Sequence, residues 1–179
     1  MTTHDDGART QAAGRLTGWL AGLLRPAAPV AGSAATPSAK VAAVAAEHHG
    51  LAGDLLYRIE NSALFDDAAP LTREFQLALM RWEDARDAGD EETVHRAAAE
   101  VELSFRTAKS NAETLGLTHL PVVARAKARK ALDRARLAMR ATSAEEREAA
   151  LAHVAALLDA LELYYLPAPA DVPRMFTGS

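Results

Sequence analysis

The chain has no cysteine among its 179 residues. That absence excludes a thiolate zinc site and a cysteine nucleophile, and nothing in the composition requires an oxidising compartment. No serine lies in a Gly-x-Ser-x-Gly elbow, and the sequence contains no glycine-rich phosphate loop. Nucleophilic catalysis therefore has little support, and the sequence predicts a protein that is not an enzyme and holds no cofactor.

Long hydrophobic runs are also missing. The longest strongly apolar run near the N-terminus, 16–24, is far shorter than the roughly 20 residues that span a bilayer. Arg15 and Arg25 bracket this run. Asp5 and Asp6 stand where a signal peptide would have basic residues. We therefore expect a soluble protein that is located in the cytoplasm.

Proline is missing from the interior of every segment with helical periodicity, where it would break the helix. Between Asp54 and Thr177 the only glycines are Gly89 and Gly116, and each stands where an apolar periodicity stops. No segment alternates apolar and polar residues as a half-buried strand does. The sequence therefore predicts an all-α fold.

These breaks divide the chain into four segments. We predict an amphipathic helix over 1–25, a Pro/Ala/Ser-rich linker over 26–38, a helical bundle over 39–166 and an extended, Pro-rich tail over 167–179. The bundle is antiparallel, with two αα-hairpins and a preceding helix packed beside them. Its helices are predicted over 39–63, 70–88, 91–115, 121–141 and 143–165.

Two of these helices have start signals of their own. Asp90 can cap the helix that follows it, and Ser143 with Glu146 three residues later forms a capping box. Within 91–115 the apolar residues keep a heptad spacing, which is typical of coiled coils. That spacing favours self-association into an oligomer.

The most strongly charged segment is the predicted helix 121–141. Its seven bases and one acid give a net charge of +6, and since the whole chain is at −4, the remainder is at −10. A free arginine face binds phosphates or carboxylates, whereas ion pairs with neighbouring acids would make it a solvated surface. We take four arginines of this face as candidate partner-binding residues: Arg125, Arg129, Arg136 and Arg140.

Two apolar terminal segments are further candidate contact sites. Near the C-terminus, Met175 and Phe176 follow a Pro-rich spacer and form an apolar anchor for a partner, unless this end is disordered or covers the bundle. The N-terminal helix suits a partner protein, a membrane surface or the bundle itself. Its candidate contact residues are four large apolar side chains on one face: Leu16, Trp19, Leu20 and Leu23.

One pair of residues hints at metal chemistry. Glu92 and His95 form a Glu-x-x-His pair, a spacing that di-iron bundles use twice, but the sequence has a single copy. Both residues stand in the first turn of a predicted helix, where a glutamate complements the helix dipole. His48 lies on an apolar stripe, where a histidine is more often a core residue than a ligand. No residue is therefore assigned as a metal ligand.

The sequence as a whole predicts a non-enzymatic helical-bundle interaction protein, meaning an adaptor, a scaffold or an assembly subunit. We expect a protein partner or self-association, and no small-molecule substrate is evident. One alternative is that the basic face of 121–141 binds nucleic acid or an acidic partner, and a second is a metal-dependent bundle enzyme. Peripheral membrane contact through the N-terminal helix also stays open. Exposed, unpaired arginines would favour the first alternative, and an interior polar pocket would favour an enzyme.

Overall fold

A computed structural model describes residues 35–177 of the chain. Within that range the protein is built from helices and contains no strand, so the predicted all-α fold is confirmed. Short 3-10 turns cover Ser62–Phe65, Gly116–His119 and Pro169–Asp171. The α-helices of this range are α1 (Pro37–Gly53), α2 (Leu55–Glu60), α3 (Pro70–Ala88), α4 (Glu91–Leu115), α5 (Val122–Arg140), α6 (Ala144–Asp159) and α7 (Val172–Thr177).

The predicted helix starts and stops in the middle of the chain are confirmed. Asp90 caps α4, because its Oδ2 accepts a hydrogen bond of 2.9 Å from the Thr93 N–H. Ser143 caps α6, because its Oγ accepts one of 3.1 Å from the Glu146 N–H. Gly89 ends α3 with a φ of 76°, a left-handed conformation that glycine adopts without strain.

The prediction of one continuous helix over 39–63 is wrong. The first helix begins at Pro37, inside the predicted linker, and ends at Gly53. Asp54 then leaves helical geometry, with a φ of −82° and a ψ of 111°, and its Oδ1 accepts a hydrogen bond from the Tyr57 N–H. A glycine followed by a capping aspartate interrupts the helix because both residues favour helix ends over helix interiors.

The prediction that the helix from Ser143 continues to Tyr165 is also wrong. Helix α6 ends at Asp159, and Glu162 takes a left-handed φ of 52°. The Lys127 Nζ donates a hydrogen bond of 2.8 Å to the Ala160 carbonyl, so a cation binds the negative end of α6. Tyr165 is nevertheless buried, because the chain turns back onto the bundle after the helix ends.

The predicted extended tail is wrong over residues 169–177. Pro169 opens a 3-10 turn, and α7 follows it directly. Val172 and Met175, three residues apart on α7, are both buried in the core. The burial of these two side chains fixes the end of the chain against the bundle.

The buried side chains form two apolar clusters. Helices α1, α3 and α4 surround the first, in which the Phe75 and Phe105 ring centroids lie 5.2 Å apart. Helices α2, α5, α6 and α7 surround the second, where a stripe of alanines on α5 lets the neighbouring helices approach closely. Phe65, between α2 and α3, packs against both clusters. The alanines of the α5 stripe are Ala124, Ala128, Ala131, Ala135 and Ala138.

Candidate functional site

Three of the seven bases on α5 bind other parts of the protein. Arg125 donates hydrogen bonds of 2.9 Å to the Leu120 carbonyl and 2.7 Å to the Thr118 carbonyl. Arg136 forms ion pairs with Glu60 at 3.4 Å and with Asp133 at 3.6 Å. With Lys127, which binds the end of α6, these side chains stabilise the fold. Two of the four predicted binding arginines, Arg125 and Arg136, therefore have structural partners.

The other four bases of α5 are exposed. None of them forms an ion pair with any residue in the part of the chain that the structure describes. Arg129 and Arg140, the remaining predicted arginines, belong to this group. A row of unpaired cations on one helix creates a positive potential at the surface that attracts anions. The four bases of α5 that form no ion pair with the described residues are Arg129, Lys130, Arg134 and Arg140.

A groove between α5 and α6 lies beside two of these unpaired cations. Its volume is about 510 Å³. Leu137, half-exposed, and the small side chains of Ala149 and Ala150 give it apolar walls, while Arg134 and Arg140 bring positive charge. We call this site the α5–α6 groove, and its lining residues are Arg134, Leu137, Arg140, Ala141, Glu146, Ala149, Ala150 and His153.

The one carboxylate of the α5–α6 groove already has partners. Glu146 Oε2 accepts hydrogen bonds of 3.3 Å from both the Thr142 N–H and the Thr142 hydroxyl, in the turn that opens α6. It forms no ion pair with Arg134 or Arg140. The two guanidinium groups are therefore free to bind an incoming carboxylate.

A second cavity lies between α1, α2 and α3. Its volume is about 460 Å³, and we call it the Arg58 pocket. Arg58 is half-buried, and its guanidinium carbon lies 5.3 Å from the centroid of the Phe65 ring. Its buried Nε has no hydrogen-bond partner. The residues that line the pocket are Ala45, His48, His49, Ala52, Arg58, Leu64, Phe65, Asp67, Thr72, Phe75, Gln76 and Leu79.

His48 forms part of the aromatic wall of the Arg58 pocket. Its ring centroid lies 5.6 Å from that of Phe65 and 5.5 Å from that of Phe75. Burial, together with the positive charges of Arg58 and His49, lowers the pKa of His48 below its usual 6.5. The sequence assigned His48 to an apolar stripe, and the structure adds that the same ring faces a cavity.

A polar cluster around the buried Asp66, which sequence reasoning missed, joins three distant segments. The His119 Nε2 lies 2.8 Å from Asp66 Oδ2, and the Tyr164 hydroxyl donates a hydrogen bond to Asp66 Oδ1. The Ala68 N–H also donates to Oδ1, at 2.9 Å. Burial raises the pKa of Asp66, but these hydrogen bonds outweigh it and bring the pKa below its usual 3.8. The cluster stabilises the charged carboxylate where the two apolar clusters meet.

The candidate contact residues near the two chain ends have different outcomes. Met175 is buried, and Phe176 packs against the second apolar cluster, so neither is a free anchor for a partner. The N-terminal candidates lie outside the described residues. Within residues 35–177 no helix is long and apolar enough to cross a membrane. The N-terminal candidate contact residues, which lie outside the described range, are Leu16, Trp19, Leu20 and Leu23.

The Glu92 and His95 pair does not assemble a metal centre in the structure. Glu92 forms an ion pair of 3.0 Å with Arg96, and His95 lies 4.0 Å from Glu91. All of these side chains are largely exposed. Among the described residues no group of three or more histidines and carboxylates has the arrangement to hold a metal ion.

Comparisons with known proteins add no relative to this geometry. No family model, no curated protein and no solved structure matches the chain.

Proposed function

We propose that this protein is a non-enzymatic interaction module that binds an acidic, amphipathic helix of a partner protein in the α5–α6 groove. The observation that supports this function is the combination of an apolar wall at Leu137 with two unpaired guanidinium groups, Arg134 and Arg140. An amphipathic helix with carboxylates beside its apolar face matches both features at once.

The apolar part of the surface favours a protein partner over nucleic acid. Leu137, which lines the groove, is 50 % exposed. Burying such a side chain against a partner's leucines releases about 25 cal/mol per Å² of apolar area. A sugar-phosphate backbone offers no comparable apolar surface, and phosphate contacts rely on cations alone. The groove therefore has a feature that nucleic-acid binding would leave unused.

The free state of the arginines favours an acidic partner over a neutral one. An unpaired guanidinium at the rim of a groove forms bidentate hydrogen bonds with a carboxylate, and these are stronger than bonds between neutral groups. A neutral helix would bury Arg134 and Arg140 without compensating their charge, which costs free energy. Charge complementarity thus selects carboxylates at the positions that flank the apolar contact.

The test uses a short synthetic amphipathic helix with leucines on one face and glutamates beside them, labelled for fluorescence anisotropy. We expect saturable binding that weakens as salt is added. A scrambled peptide of the same composition should bind at least about tenfold more weakly, since it cannot present both features together. A fluorescent DNA duplex is measured in parallel, and tighter binding of the duplex would replace this proposal by the nucleic-acid alternative.

Two matched pairs of variants locate the binding site. The double variant Arg134→Glu/Arg140→Glu should lose peptide binding, whereas Arg73→Glu/Arg106→Glu, which makes the same change of net charge on α3 and α4, should keep it. Leu137→Asn should weaken binding, whereas Leu103→Asn, which changes a leucine on α4 that is more exposed (63 % against 50 %), should not. Equal effects within either pair would contradict binding in the groove.

A further inference from the structure

The Arg58 pocket has the composition of a site for a small organic anion. One side consists of apolar and aromatic side chains, among them Leu64, Phe65, Phe75 and Leu79. Its volume of about 460 Å³ lies within the range of small-molecule sites in proteins. Arg58 is the only arginine or lysine that lines it, and it comes from α2, the short helix between the two apolar clusters.

The guanidinium of Arg58 lies over the Phe65 ring but lacks the anionic partner that a half-buried charge normally has. Within residues 35–177 it forms no ion pair, and no acceptor binds its buried Nε. The negative charge of Asp171 is close enough to favour the charged form of Arg58, but Asp171 forms its ion pair with Arg174. Burial lowers the pKa of Arg58. A charge that is partly removed from water without an opposite charge lowers the stability of the folded state. A bound anion would offset this loss of solvation free energy.

We propose that the Arg58 pocket binds a small monocarboxylic acid with an aromatic or short aliphatic body. The carboxylate accepts two hydrogen bonds from the Arg58 guanidinium, a planar fork that matches carboxylate geometry. The body of the ligand packs on Phe65 and Phe75. This site is separate from the α5–α6 groove, because no residue lines both.

The charges around the pocket favour a monoanion over a dianion such as a phosphate ester. Arg58 supplies one full positive charge, while its neighbour His48 has a lowered pKa and is mainly neutral at neutral pH. Asp67, which also lines the pocket, is negative and accepts a hydrogen bond of 2.6 Å from Gln76 Nε2. A second negative charge on the ligand would therefore be uncompensated and would be repelled by Asp67.

Two polar side chains that line the pocket, Thr72 and Gln76, can still accept hydrogen bonds from substituents on the body of the ligand. The Thr72 hydroxyl donates its proton to the Ala63 carbonyl at 2.7 Å, so its oxygen can still accept a hydrogen bond. Gln76 uses its amide nitrogen on Asp67, and its amide oxygen forms no hydrogen bond with the described residues. A hydroxyl or amino group on the ligand body could donate to these two acceptors.

The test is isothermal titration calorimetry of the full-length protein with phenylacetate, hexanoate, the neutral isostere phenylacetamide and the dianion benzyl phosphate. We expect phenylacetate and hexanoate to bind with one site per chain, and phenylacetamide and benzyl phosphate to bind at least tenfold more weakly. This comparison uses the unaltered protein and does not depend on any variant folding. Absence of carboxylate binding at millimolar concentration, equal binding of acid and amide, or tighter binding of benzyl phosphate would each overturn the proposal.

A matched pair of variants assigns the binding to Arg58. Arg58→Gln should abolish the preference for phenylacetate over phenylacetamide, whereas Arg73→Gln, on the exposed face of α3, should leave it unchanged. Amide chemical shifts that change on adding phenylacetate should cluster in α1 around His48, in the 3-10 turn at Phe65 and in α3 around Gln76. The assignment would be contradicted if Arg58→Gln still preferred phenylacetate over phenylacetamide. It would also be contradicted if the amide chemical-shift changes clustered on α5.

Discussion

The Nε2 of His119 lies 2.8 Å from the Oδ2 of Asp66, and this contact joins the 3-10 turn after α4 to the loop before α3. Tyr164, from the loop after α6, donates to the other oxygen of the same carboxylate. One buried aspartate thus joins segments from both halves of the bundle. This contact and the packing of Phe65 both connect the α1–α3–α4 cluster to the part of the bundle that contains α5 and α6.

Replacing Asp66 should therefore destabilise the fold as a whole. Asp66→Ala leaves the His119 and Tyr164 donors without their acceptor, and we expect the free energy of unfolding to fall by about 1–3 kcal/mol. Urea denaturation followed by circular dichroism measures this loss. Asp84→Ala, which removes an exposed carboxylate from α3, is the control and should be close to neutral. A neutral Asp66→Ala would show that the cluster contributes no stability.

Asp66 should also make the protein sensitive to acid. Its pKa is lowered in the folded state, so the unfolded state binds its proton first as the pH falls. The stability that Asp66 contributes is therefore present above pH 3.8 and is lost as the pH falls through the folded-state pKa. Asp66→Asn should flatten the acid limb of a plot of unfolding free energy against pH. An unchanged acid limb would contradict the lowered pKa.

His48 should titrate below its usual pKa, and Arg58 should be part of the reason. Burial is the main cause, and the Arg58 charge adds to it, so Arg58→Gln should raise the pKa of His48 without restoring it to 6.5. Because the unfolded state takes up the proton first, His48 contributes stability above pH 6.5 that is lost as the pH falls toward its folded-state pKa. Imidazole NMR titration of wild type, Arg58→Gln and the control Arg73→Gln measures the shifts; identical values in all three would be inconsistent with this geometry.

The alanine stripe of α5 should tolerate no larger side chain. Ala131 is fully buried, and we expect Ala131→Leu to lower the free energy of unfolding by about 1–3 kcal/mol because the added atoms have no space. Ala126→Leu makes the same change at an exposed position of α5 and should have little effect. Chemical denaturation of both variants measures the difference. Similar stabilities would mean that α5 does not pack closely against its neighbours.

Features that depend on nearby residues could be predicted from the sequence. Asp90 and Ser143 are close in sequence to the N–H groups that they cap, and Gly89 stands directly after α3. The break at Asp54 was not predicted because the apolar spacing continues across it, although Gly53 and the capping Asp54 are local signals of the same kind. Periodicity alone does not distinguish a helix from two helices whose apolar faces happen to align.

The sites could be predicted less well, because they depend on partners far apart in the chain. His119 is 53 residues from Asp66, and no local pattern brings them together. The basic face of α5 was evident, but its division into bound and free cations depends on carbonyl groups such as that of Ala160, which only the tertiary structure positions. Arg58 looks like an ordinary helical cation until its neighbours are known.

The measurement that tests the proposed function most directly is a charge swap across the α5–α6 groove. The Arg134→Glu/Arg140→Glu protein is titrated with the acidic amphipathic helix and with a version in which its glutamates are replaced by lysines. We predict that the variant no longer binds the acidic helix and instead binds the basic one. The groove keeps its apolar wall at Leu137 while its charge is reversed. If the variant and the wild type bind each helix with the same affinity, the groove is not the binding surface and the proposed function is wrong.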